Sequence, residues 1–166
     1  MISPFTKQFG RLAAVAAVAL WAATLSTKAV AGPFSGLGGR WNGAGHVELS
    51  NGTKERIRCR ASYQVDSNGQ AMHQALRCAS DSYKFELRSD VESQGNQISG
   101  NWSELTRSVS GKLSGHARQG RIEVFVKSET FNAKLILDSH GNRQSVTIKS
   151  QGTQFTGATI KLARKG

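Results

Sequence analysis

The chain has 166 residues, with 22 basic and 11 acidic side chains and a net charge of +11. The part of the chain that follows the amino-terminal segment described next, 32–166, is long enough for one ordinary domain and too short for two. The excess of positive charge favours anionic partners over cationic ones.

The amino terminus has the three-part pattern of a secretory signal. Lys7 and Arg11 precede an uncharged, mostly apolar run at 12–25, and the small-x-small triplet Ala29-Val30-Ala31 follows. We expect residues 1–31 to be a signal peptide that is cleaved before Gly32. The alternative is a membrane anchor, but a span needs about 20 apolar residues and this run is shorter. The mature chain, 32–166, is then a single periplasmic or secreted domain without a lipid anchor, because no cysteine follows the cut.

Removing the signal also changes the charge of the protein. Residues 1–31 contain three basic and no acidic side chains, so 19 basic and 11 acidic residues remain and the mature charge is +8.

Period-two alternation of apolar and polar residues dominates from Arg40 to the chain end, and no segment has an apolar stripe of helical period. The alternating runs are separated by turn sequences: Ser50-Asn51-Gly52, Ser67-Asn68-Gly69-Gln70, Gln94-Gly95-Asn96, Gln119-Gly120 and His140-Gly141-Asn142. The spacing predicts about nine or ten short antiparallel strands in a meander.

An all-β sheet with one apolar face must cover that face. No helix is predicted, so the sheet closes into a barrel or folds into a sandwich. We favour a small closed barrel of about eight to ten strands, because closure also removes the exposed sheet edges.

Cys59 and Cys78 are the two cysteines of the chain, and we expect them to form a structural disulfide. If the turn centres on Asn68-Gly69, paired positions sum to about 137 and the cysteines face each other across two strands. A two-residue loop and a four-residue loop are both compatible with this register. We favour the wider loop, because it makes the cysteines a non-hydrogen-bonded pair with closer side chains.

Many inward positions carry small residues: Gly43, Gly45, Ala61, Gly100, Gly111, Gly115 and Ala133. Two interpretations are open. Small residues leave room for a ligand inside the barrel, or they let bent strands approach one another closely. The second interpretation is slightly favoured.

Two short motifs carry a resemblance to a known superfamily. Gly39-Arg40-Trp41 and Gly100-Asn101-Trp102 resemble the Gly-x-Trp motif of the lipocalin and avidin type of barrel. The resemblance implies an eight-to-ten-stranded barrel whose tryptophan lies at the closed end under an arginine, here Arg164. The segments around the two cysteines, 55–61 and 76–79, also resemble small exported proteins of α-proteobacteria; this resemblance implies a periplasmic location and assigns no activity.

The sequence offers no recognisable catalytic or metal-binding pattern. The four histidines have no zinc-ligand spacing, and there is neither a Gly-x-Ser-x-Gly nucleophile elbow nor a phosphate-binding loop. We therefore expect a protein without enzymatic activity, metal or cofactor.

Basic residues are predicted to gather on one outer face of the sheet. In the predicted register they occupy outward positions of three consecutive strands: Arg56, Arg58, Arg60, Arg77, Lys84 and Arg88. If these strands are neighbours, the face can bind phosphate or carboxylate groups of lipopolysaccharide, acidic lipid or glycan. A solvated face that only increases solubility is the alternative. Nucleic acid is an unlikely partner, because Phe125 is the main outward aromatic residue.

Three functions remain open. The first is a binding protein that holds an apolar or amphipathic small molecule against the inward aromatic residues Trp41, Tyr63, Phe85, Trp102 and Phe131. The second is an envelope-associated protein that docks an anionic partner on the basic face. The third is an inhibitor of a secreted enzyme that presents its loops to an active site.

Overall fold

The computed structural model describes residues 31–118, 120–129, 131–151 and 153–166 and shows an all-β protein. Its ten strands are β1 Gly39–Leu49, β2 Lys54–Val65, β3 Ala71–Ala79, β4 Lys84–Gln94, β5 Gln97–Glu104, β6 Val109–Arg118, β7 Arg121–Lys127, β8 Asn132–His140, β9 Arg143–Gln151 and β10 Phe155–Arg164. Almost all of the predicted signal peptide lies outside the described residues. Within them, no helix is long and apolar enough to cross a membrane.

Each strand pairs antiparallel with its neighbour in sequence, and β1 pairs with β10 to close the barrel. The predicted fold class is confirmed, with ten strands in the closed barrel. The connections after β1, β3, β5, β7 and β9 lie at one end, which we call the mouth. The connections after β2, β4, β6 and β8 lie at the other, which we call the closed end.

The residues before β1 cover the closed end of the barrel. The Gly32 amide donates to the Asn68 carbonyl at 2.8 Å, and the Phe34 amide donates to the Gly69 carbonyl at 3.1 Å. Phe34 and Leu37 are buried beneath the strands as a result. This short segment therefore forms part of the core although it belongs to no strand.

Trp41 and Arg164 fasten this segment to the barrel. The Trp41 indole donates to the Leu37 carbonyl at 2.9 Å, and the Arg164 guanidinium lies 4.4 Å from the centre of the Trp41 ring. The same guanidinium donates to the carbonyls of Gly36 and Gly38. The arginine expected from the Gly-x-Trp resemblance is thus confirmed at the closed end.

The disulfide joins Cys59 of β2 to Cys78 of β3 inside the barrel, where both side chains are buried. The Asp66 amide donates to the Ala71 carbonyl at 3.1 Å, so residues 67–70 form a four-residue loop. Hydrogen-bonded and non-hydrogen-bonded pairs alternate along two antiparallel strands. Starting from the hydrogen-bonded pair Asp66 and Ala71, the alternation makes Cys59 and Cys78 a non-hydrogen-bonded pair, and their Cα atoms are 4.1 Å apart. The disulfide, its register and the wider loop are all confirmed.

Inward glycines stand where a neighbouring strand comes very close. A Cβ atom at Gly43 would lie 1.8 Å from the Lys161 carbonyl oxygen, and one at Gly111 would lie 2.1 Å from that of Lys127. The close-approach interpretation is therefore right for these glycines. The barrel nevertheless encloses a cavity. Larger side chains border this cavity, and the glycines do not.

A cavity in the barrel and a basic outer face

A cavity of about 600 Å³ runs from the mouth into the barrel. Its wall is mostly apolar and is contributed by most of the strands. The aliphatic part of the wall consists of Leu49, Met72, Leu87, Val91, Val109, Leu113, Ile122, Val124, Val126, Ala133, Leu135, Leu137 and Ile148. This size and lining are typical of small-molecule sites, which are concave, largely apolar and about 300–1,000 Å³ in volume.

Three of the five predicted lining residues border the cavity: Phe85, Trp102 and Phe131. The Trp102 and Phe131 rings pack with their centres 5.7 Å apart, so they form one continuous aromatic surface. The Trp102 indole donates to the Lys112 carbonyl at 3.2 Å, which fixes the orientation of its ring. The two ring planes are tilted by 56°, so this side of the cavity is an angled aromatic wall with a fixed tryptophan.

The other two predicted lining residues, Trp41 and Tyr63, do not border the cavity. Their rings pack edge to face with centres 6.4 Å apart in the closed end, and the Tyr63 hydroxyl donates to Gln144 Oε1 at 3.1 Å. Burial raises the pKa of this hydroxyl above its usual range. The two residues lie beyond the end of the cavity, and the expectation that they line it is corrected.

An aromatic stack lies at the mouth. The Tyr83 and Phe155 rings stack with centres 6.2 Å apart and planes 15° apart. The guanidinium of Arg107 lies 4.7 Å from the centre of the Tyr83 ring. Because Arg107, Tyr83 and Phe155 come from three different connections or strands, they reach across part of the opening.

Charged side chains border the cavity at its mouth. Among the described residues they are Glu55, Glu104 and Arg107. Glu55 accepts hydrogen bonds from the hydroxyl and the amide of Ser82, at 2.6 and 3.2 Å, and so holds the connection between β3 and β4. Hydrogen bonds from Ser80 and Ser82 keep the pKa of Glu55 below its usual range.

Glu104 organises the connection between β5 and β6. Its carboxylate accepts the amides of Glu86 at 2.9 Å, Thr106 at 3.1 Å and Arg107 at 2.7 Å. Burial raises the pKa of Glu104, but these hydrogen bonds together outweigh burial and leave it below its usual range. The carboxylate is therefore charged at neutral pH and fixes the loop that carries Arg107.

Deeper in the cavity the polar groups are few, and two of them share a hydrogen bond. The Ser89 hydroxyl donates to Gln74 Oε1 at 3.0 Å, and both residues border the cavity. Gln74 and Ser89 occupy inward positions of β3 and β4, where the neighbouring inward residues are mostly apolar. A polar residue at an inward position was therefore a signal that the sequence analysis did not use. Arg107 and Phe155 were also missed, and Arg107 lies in a loop where no periodic pattern exists.

The predicted basic residues share one outer face, because β2, β3 and β4 are neighbours. Arg60 pairs directly with Arg77, as the register predicted, and all six basic side chains are exposed. Glu86 reduces the charge of this face, since it accepts hydrogen bonds from Arg77 at 2.8 Å and Arg88 at 3.3 Å. A shallow groove over the disulfide is bordered by Arg58, Arg60, Arg77 and Lys84.

The remaining acidic and histidine side chains form no metal centre in the part of the chain that the structure describes. His73 contacts Asp90 across β3 and β4, but this pair is on the exposed outer surface. It does not face the cavity.

Comparison with known proteins supports the fold and no more. No family model and no curated protein matches the chain, so the resemblance to α-proteobacterial exported proteins gains no support. Among solved structures, the S-type phycobiliprotein lyase CPES from Guillardia theta is similar, with a TM-score of 0.58 and 9% sequence identity. The similarity covers 80% of this chain and 90% of that one. At this identity the similarity shows a shared barrel fold and nothing about function.

Proposed function

We propose that this protein is an exported, non-enzymatic binding protein that holds an apolar or amphipathic small molecule inside its barrel. The observation that carries the proposal is the cavity of about 600 Å³, which is apolar inside and opens at one end. Burying the apolar surface of a ligand against this wall is favourable by about 25 cal/mol per Å². The disulfide is compatible with an oxidising compartment.

The closed end supports the same proposal. Phe34, Trp41 and Arg164 cover that end, so the cavity is reached through the mouth. A ligand that enters there contacts Trp102 and Phe131.

The first test uses the uncharged fluorescent probe N-phenyl-1-naphthylamine and the purified mature protein. We expect the probe to bind with increased emission and to change the fluorescence of Trp102. A Trp102→Phe variant keeps Trp41, which lies outside the cavity, so its tryptophan emission is expected to change less than that of the unchanged protein when the probe binds. A Val124→Trp variant fills the cavity and is expected to weaken probe binding at least tenfold. Equal probe binding by Val124→Trp and the unchanged protein would place the probe elsewhere and refute the proposal.

A second candidate function is docking of an anionic envelope component on the basic face. The observation that favours it is the groove over the disulfide. Four cationic residues border this groove, and its lining also includes Gly43 and Ala79. Arginine binds phosphate and carboxylate with two parallel hydrogen bonds.

Vesicle sedimentation tests this second function. Vesicles that contain an anionic phospholipid should retain the protein at low salt and release it at about 0.5 M salt, because exposed charges are screened. A double Arg58→Gln, Arg60→Gln variant should lose the retention, whereas Arg118→Gln, which removes one exposed arginine at the closed end, should keep it. Retention that is insensitive to salt and to the double substitution would argue against this function.

A further inference from the structure

The distribution of polar groups along the cavity is strongly one-sided. Its charged residues, Glu55, Glu104 and Arg107, lie at the mouth, and the deeper wall is apolar except for the mutually bonded Gln74 and Ser89. A charged head placed deep in the barrel would lose its hydration, and the one polar side-chain pair there, Gln74 and Ser89, offers it no opposite charge. An amphipathic ligand therefore binds with its tail inside and its head at the mouth.

We propose that the head is a carboxylate and that Arg107 binds it, which makes long-chain carboxylates the preferred ligands. This inference rests on the proposed cavity function and adds the ligand class and the residue that selects it.

Arg107 is the one cationic side chain among the described residues that border the cavity. Tyr83 supports its guanidinium from one side at 4.7 Å, and one nitrogen donates to the Lys84 carbonyl at 3.3 Å. Its side chain is 45% exposed, so a head at the mouth reaches the guanidinium without entering the barrel. The contact with Tyr83 uses one face of the guanidinium, and the hydrogen bond to Lys84 uses Nη1, so the N–H groups of the other two nitrogens are the donors that we assign to a carboxylate.

Glu104 forms an ion pair with Arg107 and so reduces its charge, but it does not occupy the hydrogen-bond donors of the guanidinium. The carboxylate is engaged with three backbone amides, and the nearest guanidinium nitrogen is 3.6 Å away, beyond ordinary hydrogen-bond length. The role of Glu104 is to position the loop. Ser108, next to Arg107, has a left-handed backbone with a φ of 53°, and such a conformation persists only where its surroundings hold it.

The neighbouring acids also narrow the choice of head group. Glu55 and Glu104 both carry negative charge at the mouth. Both acids repel any anionic head, and they repel a doubly charged phosphate more strongly than a carboxylate, which carries one charge and matches the single guanidinium fork. Of the two anionic heads, a carboxylate therefore fits this opening better.

The test measures displacement of N-phenyl-1-naphthylamine from the mature protein by three ligands of equal chain length: dodecanoate, dodecanol and dodecyltrimethylammonium, each below its micelle concentration. We expect dodecanoate to bind about tenfold more tightly than dodecanol, since a hydrogen-bonded ion pair contributes that much. We also expect it to bind more tightly than the ammonium, which Arg107 repels although Glu55 and Glu104 attract it. The preference should shrink as salt is raised, because Arg107 is exposed.

Substitutions assign the preference to Arg107. Arg107→Gln should bring dodecanoate to the affinity of dodecanol while leaving dodecanol unchanged, and Arg107→Lys should retain part of the preference. Arg118→Gln is the matched control and should behave like the unchanged protein. If Arg107→Gln does not fold, the three-ligand series and its salt dependence still decide the matter with the unchanged protein.

The two proposals fail in different ways. If dodecanol binds but dodecanoate gains nothing over it, or Arg107→Gln keeps the preference, the carboxylate inference is wrong and the cavity function stands. If neither dodecanol nor the uncharged probe binds, the cavity function itself is wrong.

Discussion

Arg164 lies over Trp41, with its guanidinium 4.4 Å from the ring centre, where the last strand pairs with the first. The contact joins the two ends of the folded domain and holds residues 36 and 38 through their carbonyls. A comparable pair, Arg107 on Tyr83, lies at the other end of the barrel. The Arg164–Trp41 pair covers the closed end, and the Arg107–Tyr83 pair lies at the mouth.

Replacing Arg164 with methionine should loosen the closed end. The substitution removes a cation–π contact and hydrogen bonds to two carbonyls, a loss of about 1–3 kcal/mol in the free energy of unfolding. Urea unfolding followed by tryptophan emission measures it. Arg164→Lys keeps the positive charge but lacks the planar guanidinium. Its unfolding midpoint should lie between those of Arg164→Met and the unchanged protein. An unchanged unfolding midpoint in Arg164→Met would contradict the structural role of this pair.

The disulfide should contribute about 3 kcal/mol, because it closes a loop of about 20 residues. Both sulfur atoms are buried, so a double alanine variant loses core volume as well as the covalent bond. Unfolding of the reduced protein isolates the contribution of the bond, and the additional loss in the double alanine variant gives that of the volume. Equal stability of the oxidised and reduced proteins would show that the bond constrains nothing.

Inward glycines should not tolerate a methyl group. Gly43→Ala places a Cβ atom 1.8 Å from a carbonyl oxygen of β10 and is expected to cost more than about 2 kcal/mol. Gly38→Ala is the control, because its Cβ atom would meet only the Val65 side chain at 3.9 Å. Thermal unfolding of both variants compares them, and similar melting temperatures would rule out close approach as the reason for Gly43.

Stability should fall in acid partly through Glu104. Its pKa in the folded protein lies below the ordinary value of 4.5, so its stabilising effect is present above that value and is lost as pH falls through the folded pKa. Glu104→Gln should flatten the decrease in stability below pH 4.5. The check is urea unfolding across pH 3 to 7 in both proteins, and parallel pH profiles would mean that the loop does not depend on this carboxylate.

The sequence predicted the strands and their inward faces well, because strict alternation determines which side of a sheet each residue occupies. It also predicted the pairing of Cys59 with Cys78, because an Asn-Gly turn sets the register of a hairpin. Both inferences use only local information along one or two strands.

The extent of the cavity was not predictable in the same way. Alternation says that Trp41 and Phe85 both point inward, but it does not say how far each lies along the barrel axis. Trp41 is at the end covered by residues 33–37, and Phe85 is near the mouth. Arg107 lies in a loop, where neither period nor register exists, and Tyr83 lies just before β4.

The most direct measurement is native mass spectrometry of the mature protein purified from the periplasm of the cells that express it. We expect a reproducible added mass that survives high salt and that, once released, is an amphiphile with a carboxylate head, and we expect this mass to be absent from Val124→Trp. A clean mass for residues 32–166 in both proteins, together with no uptake of dodecanol or dodecanoate on incubation, would contradict a ligand-binding barrel.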